Sequence, residues 1–339
     1  MTGVQTCALP ISDVIDITER LALSASARLN IARIDLDDRL GTALDGSHRF
    51  ARLNPAIGAT YAFAPALNLY GGYSEANRAP TPAEFSCADP SAPCSLTNFF
   101  VGDPALKQVV SRTVEGGLRG DAALGEAVLK WHAGLYRTAT SDDIQFVASS
   151  VLGRAYFRNV GDTRRQGVET SLDLEAESWS LSFDYTYTDA TFRSGFSLDS
   201  PENPQADSAG RIQVRPGDRM PSIPAHLFKA TATYRVLRDL TVAAAMRAAS
   251  GVYLRGDEAN LNPKTDAYAA FDLAATYRLT DAVAFYAGIE NVFDAKYSSF
   301  GTFSPTAAIP IAEAPGASDP RSLSPAPPRS FFGGLRVRL

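Results

Sequence analysis

The 339 residues carry 45% apolar side chains and a net charge of −5, a balance that suits one large domain or two modest ones. Lys and Arg are scattered singly instead of clustered, which leaves no basic footprint for nucleic acid. No stretch approaches the roughly 18 consecutive apolar residues of a spanning helix, the nearest being Val242–Met246; a mean hydropathy near zero does not exclude a membrane barrel, whose strands alternate lipid-facing and lumen-facing residues.

The opening, Met1-Thr2-Gly3-Val4-Gln5-Thr6-Cys7-Ala8-Leu9-Pro10-Ile11, reads as an in-frame translation of a common sequencing-library adapter, so residues 1–11 are set aside and fold reasoning starts at residue 12. From there, period-two alternation predicts strands at Leu21–Asp35, Phe50–Phe63, Leu67–Ala76, Arg112–Asp121, Ala127–Thr138, Thr163–Ala176, Trp179–Thr191, His226–Val236, Leu240–Leu254, Tyr268–Leu279, Val283–Phe293 and Arg329–Leu339. The pattern is clearest where Trp179, Leu181, Phe183, Tyr185 and Tyr187 share one face and Ser180, Ser182, Asp184, Thr186 and Thr188 the other. Many of these segments approach the roughly 9–11 residues that cross a bilayer at a tilt.

Between them, short turns at Ala64-Pro65-Ala66, Ala122-Ala123-Leu124-Gly125, Glu177-Ser178, Leu237-Arg238-Asp239 and Thr280-Asp281-Ala282 alternate with long polar stretches near 38–49, 77–111, 139–162, 193–225, 256–267 and 294–328. Strict short/long alternation is the habit of an outer-membrane barrel, with tight periplasmic turns and large external loops. Tyr61, Phe63, Trp179, Tyr185, Tyr187 and Tyr277 sit near strand ends, where amphipathic rings settle at the headgroup level. The expected fold is an all-β antiparallel transmembrane barrel.

Several local patterns then resemble TonB-dependent outer-membrane receptors. They are Leu69-Tyr70-Gly71-Gly72-Tyr73-Ser74 leading to Arg78-Ala79-Pro80-Thr81-Pro82-Ala83-Glu84; Gly102-Asp103-Pro104-Ala105-Leu106-Lys107 before Thr113-Val114-Glu115-Gly116-Gly117-Leu118-Arg119; and Phe157-Arg158-Asn159-Val160-Gly161 with Gly167-Val168-Glu169. Pro221-Ser222-Ile223-Pro224-Ala225-His226 and Ile289-Glu290-Asn291-Val292-Phe293-Asp294-Ala295-Lys296-Tyr297 follow, the last resembling the family's penultimate-strand pattern. These motifs read as fold markers, with Asn291 and Asp294 bonding backbone where a strand leaves the membrane.

The resemblance implies a barrel of about 22 strands around an N-terminal plug, with a TonB box contacting an inner-membrane energy-transducing complex. On that expectation residues 12–339 hold about 12 C-terminal strands of the barrel, with plug and box absent, as an open curved sheet or an artificially closed smaller barrel. The implied function is energised uptake of a scarce extracellular ligand, such as a ferric siderophore, cobalamin or glycan, across the outer membrane of a Gram-negative cell. The implied partners are the TonB complex, the plug domain and outer-membrane lipids. The alternatives are a self-contained smaller barrel of porin or autotransporter type and a soluble β-sandwich.

For ligand contact the loops supply Asn77 and Arg78, Phe99 and Phe100, and Tyr253 with Arg255. Cys87 and Cys94 flank Pro90 and Pro93 and are read as a short disulfide loop, with two free thiols as the alternative. No cofactor, metal site or catalytic constellation is expected. The three histidines, His48, His132 and His226, lack a second ligand at metal spacing and read as lumen or loop residues. No phosphate-binding loop or nucleophile elbow occurs.

Overall fold

A computed structural model describes residues 2–37, 45–86, 94–95, 106–148, 154–306 and 315–338. Its main element is an antiparallel sheet of 13 strands: β1 (Thr2–Thr18), β2 (Leu21–Leu36), β3 (Gly46–Ala64), β4 (Leu67–Arg78), β6 (Val109–Leu124), β7 (Ala127–Ser141), β10 (Thr163–Glu175), β11 (Trp179–Phe192), β14 (His226–Leu237), β15 (Leu240–Ala249), β16 (Tyr268–Arg278), β17 (Val283–Glu290) and β20 (Ser330–Val337). Each is a neighbour of the next in chain order. Smaller strands lie in the long connections: β5 (Cys94–Ser95), β8 (Ile144–Ala148), β9 (Arg154–Asn159), β12 (Phe196–Asp199), β13 (Arg211–Val214), β18 (Ser298–Phe303) and β19 (Arg321–Pro325), with one helical turn α1 (Pro82–Ser86).

All twelve expected strands are present, and the short and long connections fall at opposite ends of the sheet as expected. Several boundaries differ by a few residues, and four differences bear on the fold. Residues 2–11, set aside above, run into β1, which pairs with β2 from Thr2↔Leu36 to Thr18↔Leu21. The turn expected from Ala122 is tighter, because β6 and β7 stay paired to Leu124↔Ala127 and Gly125 takes φ +64°. Strand β15 stops at Ala249, and Gly251 leads the chain against Thr265. Strand β17 stops at Glu290, because Asn291 (φ +49°) and Asp294 (φ +52°) turn the backbone out of the ladder.

Register turns the alternation of each strand into a common face. Leu129, Leu174, Leu181, Ala232, Ala244, Leu273, Ile289 and Phe331 lie opposite one another across eight successive strands. That face is open: Phe331 is 72% exposed, and Leu135, Leu172, Leu273 and Leu335 are exposed with it. Soluble monomers rarely leave contiguous apolar patches beyond a few hundred Å² uncovered.

Aromatics border the face at both ends. Trp179↔Tyr234 and Tyr277↔Phe285 pair near the short turns; Tyr185↔Phe228 and Tyr187↔His226 pair toward the long loops. From Trp179 to Tyr187 is about 27 Å of strand, or about 21 Å of height at a 40° tilt, close to the ~25 Å apolar band of an outer-membrane barrel.

The other face is polar and hydrogen-bonded across strands. Ser182 donates to Asp173 (2.6 Å), Thr113 and Thr138 share a bond (2.9 Å), and Tyr70 meets His132 (2.6 Å). Gly117 and Gly134 make room for that last contact, since a Cβ on either would stand 2.7 or 2.6 Å from the Tyr70 hydroxyl. His226 departs from the lumen expectation, because it pairs with Tyr187 on the aromatic-bordered face.

Among the described residues β1 pairs only with β2 and β20 only with β17. The sheet is therefore open and not closed into a smaller barrel.

Candidate functional site in the loop layer

The larger buried apolar cluster among the described residues lies among the long loops, against the loop-side end of β11. The hairpin β12/β13 contributes Phe196, Leu198, Ile212 and Val214, which pack with Val147 of β8, Tyr156 of β9, Phe192, Met220 and Ala259. Phe192 and Phe196 meet edge-on at 5.3 Å. Residues 142–148 and 154–162 thus pack with 193–225 and 250–267 as one body above the strands.

Polar contacts fix how these loops sit together. The Asp257 carboxylate, 1% exposed, accepts from the backbone of Leu261 and Asn262 (both 2.9 Å) and from the Asn203 amide (3.3 Å). The Gly256 carbonyl accepts from Ser200 (2.7 Å) and Asn203 (2.8 Å). Asn260 exchanges two bonds with the backbone of Arg219 (2.6 and 2.9 Å). Next to them Glu258 is buried with one carboxyl oxygen lacking a partner, and desolvation pushes its pKa up to about 7.

This frame places two of the expected ligand residues. The Arg255 guanidinium lies 6.0 Å from the ring centres of both Phe146 and Phe300, and the residue's backbone N–H donates to the Gly301 carbonyl (2.9 Å). The Tyr253 ring carries the Lys264 ammonium 4.9 Å from its centre.

Beside them, between 250–267 and 291–329, opens a cleft of about 440 Å³. Lys264, Lys296, Arg321 and Tyr297 are prominent in its lining, with Asp266 and Asp294 as its carboxylates. Tyr297 stacks on Tyr268 with ring centres 3.9 Å apart, and its hydroxyl accepts from Arg247 (3.4 Å). Asp294 accepts from the Arg329 backbone (2.9 Å). Arg321 is held by Asp319 at 2.7 Å, a bond that lowers the Asp319 pKa. Cations and stacked phenols together suit an anionic, ring-bearing ligand.

Asn77 and Arg78 occupy a separate network. The Asn77 amide oxygen accepts from Asn30 (2.9 Å) and Asn54 (2.7 Å), and its nitrogen donates to Gln108 (2.9 Å). Close by, Arg52 and Arg112 converge on Glu75. Arg78 donates to Glu84 (2.6 Å), whose carboxylate also accepts from the Thr81 backbone (2.6 Å) in a capping box that starts α1. Phe85 of α1 is fully buried, stacked on His48 at 4.0 Å. The two pairs therefore serve different parts of the loop layer.

Phe99, Phe100 and Cys87 lie outside the described residues, and Cys94 falls in β5, opposite Ala155 of β9. Among the described residues no group of three His, Cys, Asp or Glu side chains is arranged to hold a metal ion.

Sequence reasoning missed Lys264 and Arg321, and took Lys296 and Tyr297 for fold markers. The usable signal was their position: both follow the turn at Asn291, whose amide bonds Ala295 (2.8 and 3.0 Å) and the Pro327 carbonyl (3.1 Å) and so aims the next residues into the cleft.

Comparisons with known proteins agree with the fold. Over 145 residues, 42% of this chain and 18% of the relative, the sequence is 29% identical to the "Probable TonB-dependent siderophore receptor PiuA" of Acinetobacter baumannii. In fold, 99% of the chain superposes on 43% of the crystal structure of the siderophore receptor PiuA from the same species (TM-score 0.69, 20% identity). It likewise superposes on 45% of the ferric-catecholate import receptor Fiu of E. coli K12 (99% of this chain, TM-score 0.67, 20% identity). A copper transporter, OprC, matches over 100% of this chain and 48% of its own (TM-score 0.71, 18% identity). The chain spans less than half the length of these structures. The family described as TonB dependent receptor-like, beta-barrel, matches residues 3–292, and the chain belongs to it.

Proposed function

We propose that this chain is part of the wall and loop layer of an outer-membrane receptor that takes up a ferric siderophore with energy delivered by a TonB complex. The match to a siderophore receptor over 145 residues carries the ligand class. The cleft supports it, because lysines and an arginine beside stacked tyrosines attract the carboxylate, catecholate or hydroxamate oxygens of a ferric chelate. Tyr253, Arg255, Lys264, Lys296, Tyr297 and Arg321 are the proposed ligand-facing set; Asn77 and Arg78 frame the neighbouring loop, with Phe99 and Phe100 kept as further contacts. A Cys87–Cys94 disulfide closes the loop between α1 and β5, and intact-mass measurement with and without reductant tests it. In the whole receptor a plug domain fills the lumen and outer-membrane lipids bathe the apolar face.

Flow dialysis of the purified chain in detergent against radiolabelled ferric catecholate and hydroxamate chelates, cyanocobalamin and a maltooligosaccharide tests the ligand class. Retention of a ferric chelate, weakened about tenfold or more in a Lys264→Gln/Lys296→Gln variant, is the expected outcome. Retention of cobalamin or sugar without any ferric chelate contradicts it.

A further inference from the structure

Residues 253–264 form a closed turn in the loop layer. Its neck is pinned by Val252 and Thr265: the Thr265 N–H donates to the Val252 carbonyl (2.8 Å), and the Val252 N–H donates to the Thr265 hydroxyl (3.0 Å). Both arms of the turn line the cleft, Leu254 from one and Pro263 and Lys264 from the other. At its base the Arg255 backbone is bonded to Gly301 of β18, and a Cβ on Gly256 would stand 3.2 Å from the Phe303 ring. Ser298, where β18 begins, and Tyr297 before it line the cleft as well. The turn therefore ties the 250–267 wall to the 291–329 wall.

Glu258 lies inside this turn, 7% exposed, beside Ala259 of the loop core. One carboxyl oxygen accepts from the Gly256 N–H (3.2 Å), and the other has no partner. As a neutral acid the group leaves one hydroxyl unmatched; as an anion it puts an unpaired charge in a buried site, a far larger penalty. The charged groups acting on it are Arg255, which favours the anion, and Asp257, which opposes it. Arg255 is drawn aside between the rings of Phe146 and Phe300. The side chains packed on Gly256 from neighbouring elements, Ser200, Asn203 and Phe303, carry no charge. Burial raises the carboxyl from its ordinary 4.5 to about 7, so the closed turn takes up the proton. Closure is fullest below about pH 4.5 and weakens as pH rises to about 7.

We infer that Glu258 is a proton-operated latch on the cleft: protonated, it keeps the 253–264 turn closed and the two walls tied; ionised, it releases the turn and weakens ligand binding. The effect on binding rests on the reading of the cleft as the siderophore site, whereas the opening of the turn does not.

Hydrogen–deuterium exchange of the purified chain in detergent, followed on peptides covering 253–264 and corrected for the intrinsic pH dependence of amide exchange, tests the turn. Protection in the parent is expected to fall roughly tenfold to a hundredfold between about pH 5 and about pH 8. E258Q, which stays neutral, should change less than about threefold; E258M carries the same expectation should the Gln variant not fold. In parallel, flow dialysis with a radiolabelled ferric trihydroxamate should show affinity at least about tenfold weaker at about pH 8 than at about pH 5 in the parent, and level in E258Q. The inference is overturned if the parent keeps its protection across the range, if E258Q loses protection as steeply as the parent, or if the turn opens while chelate affinity stays level. Retention of no ferric chelate at either pH overturns the uptake reading instead, and the exchange result then decides the latch by itself.

Discussion

Two loop residues show how much single side chains decide. Asn291 is buried at φ +49° and satisfies the backbone of Ala295 and Pro327 with three side-chain bonds. At about 1 kcal/mol each, their loss predicts that Asn291→Ala costs about 2–3 kcal/mol, read as a lower thermal midpoint in detergent. Asn291→Gly, which keeps the left-handed backbone, should lose nearly as much, because the bonds and not the φ angle dominate. Glu258 makes the opposite kind of prediction. Its folded pKa of about 7 exceeds the ordinary 4.5, so the folded state binds the proton more tightly and stability falls as pH rises from about 4.5 to about 7. Glu258→Gln should remove that slope and resist limited proteolysis of the 250–267 loop better than the parent at pH 8, by at most about 3 kcal/mol of local stability. A cleavage rate as pH-dependent in the variant as in the parent contradicts this. The bonding role of Asn291 was legible in the sequence, since Asn in a turn after an alternating run is a known backbone partner. The burial of Glu258 was not: Asp257-Glu258 reads as a solvated acid pair until Ser200 and Asn203, more than fifty residues away, close over Gly256.

At the scale of strands, the two faces should answer substitution differently. Leu273, centred in β16 on the exposed apolar face between Ala244 and Ile289, should cost about 2–4 kcal/mol on change to Arg. Thr231, on the opposite face between Ser182 and Ala245, should tolerate Arg within about 0.5 kcal/mol. Folding into short-chain lecithin vesicles, followed by denaturant titration, measures both; equal penalties would contradict the assignment of faces. These faces were legible because period-two alternation survives any register that preserves the pleat. Strand ends were legible only where a turn residue announced them, as at Thr280-Asp281, and failed at Ala249 and Glu290, where apolar residues continue past the last ladder bond. The hairpin β12/β13 was hidden for a different reason: Phe196, Leu198, Ile212 and Val214 do alternate, but only four residues at a time within a Pro-rich connection.

As a whole, the molecule inverts the usual placing of a core. Its largest sheet keeps most of its apolar side chains outward, while the loops that sequence reading treats as solvated excursions bury Leu198, Ile212 and Val214. Loops with a core of their own are rigid enough to hold a binding cleft at fixed geometry, which links packing to the proposed recognition of a chelate. Among the described residues the edges at β1 and β20 have no further strand beside them, and the chain spans less than half the length of its structural relatives. Much of this architecture was readable from alternation and connection length; the cleft was not, because Lys264, Lys296 and Arg321 meet only after two loops separated by two strands of the sheet fold together.

The central claim is that the Trp179/Leu181/Phe183 face meets lipid. Spin labels placed singly from Trp179 to Tyr187 of the chain reconstituted in bilayers, with native cysteines replaced, measure it by collision with oxygen and with a water-soluble nickel chelate. Labels at 179, 181, 183 and 185 should favour oxygen, and labels at 180, 182 and 184 should favour nickel, in strict alternation. Labels at 181 and 183 shielded from both reagents, or open to nickel, would contradict a lipid-facing wall.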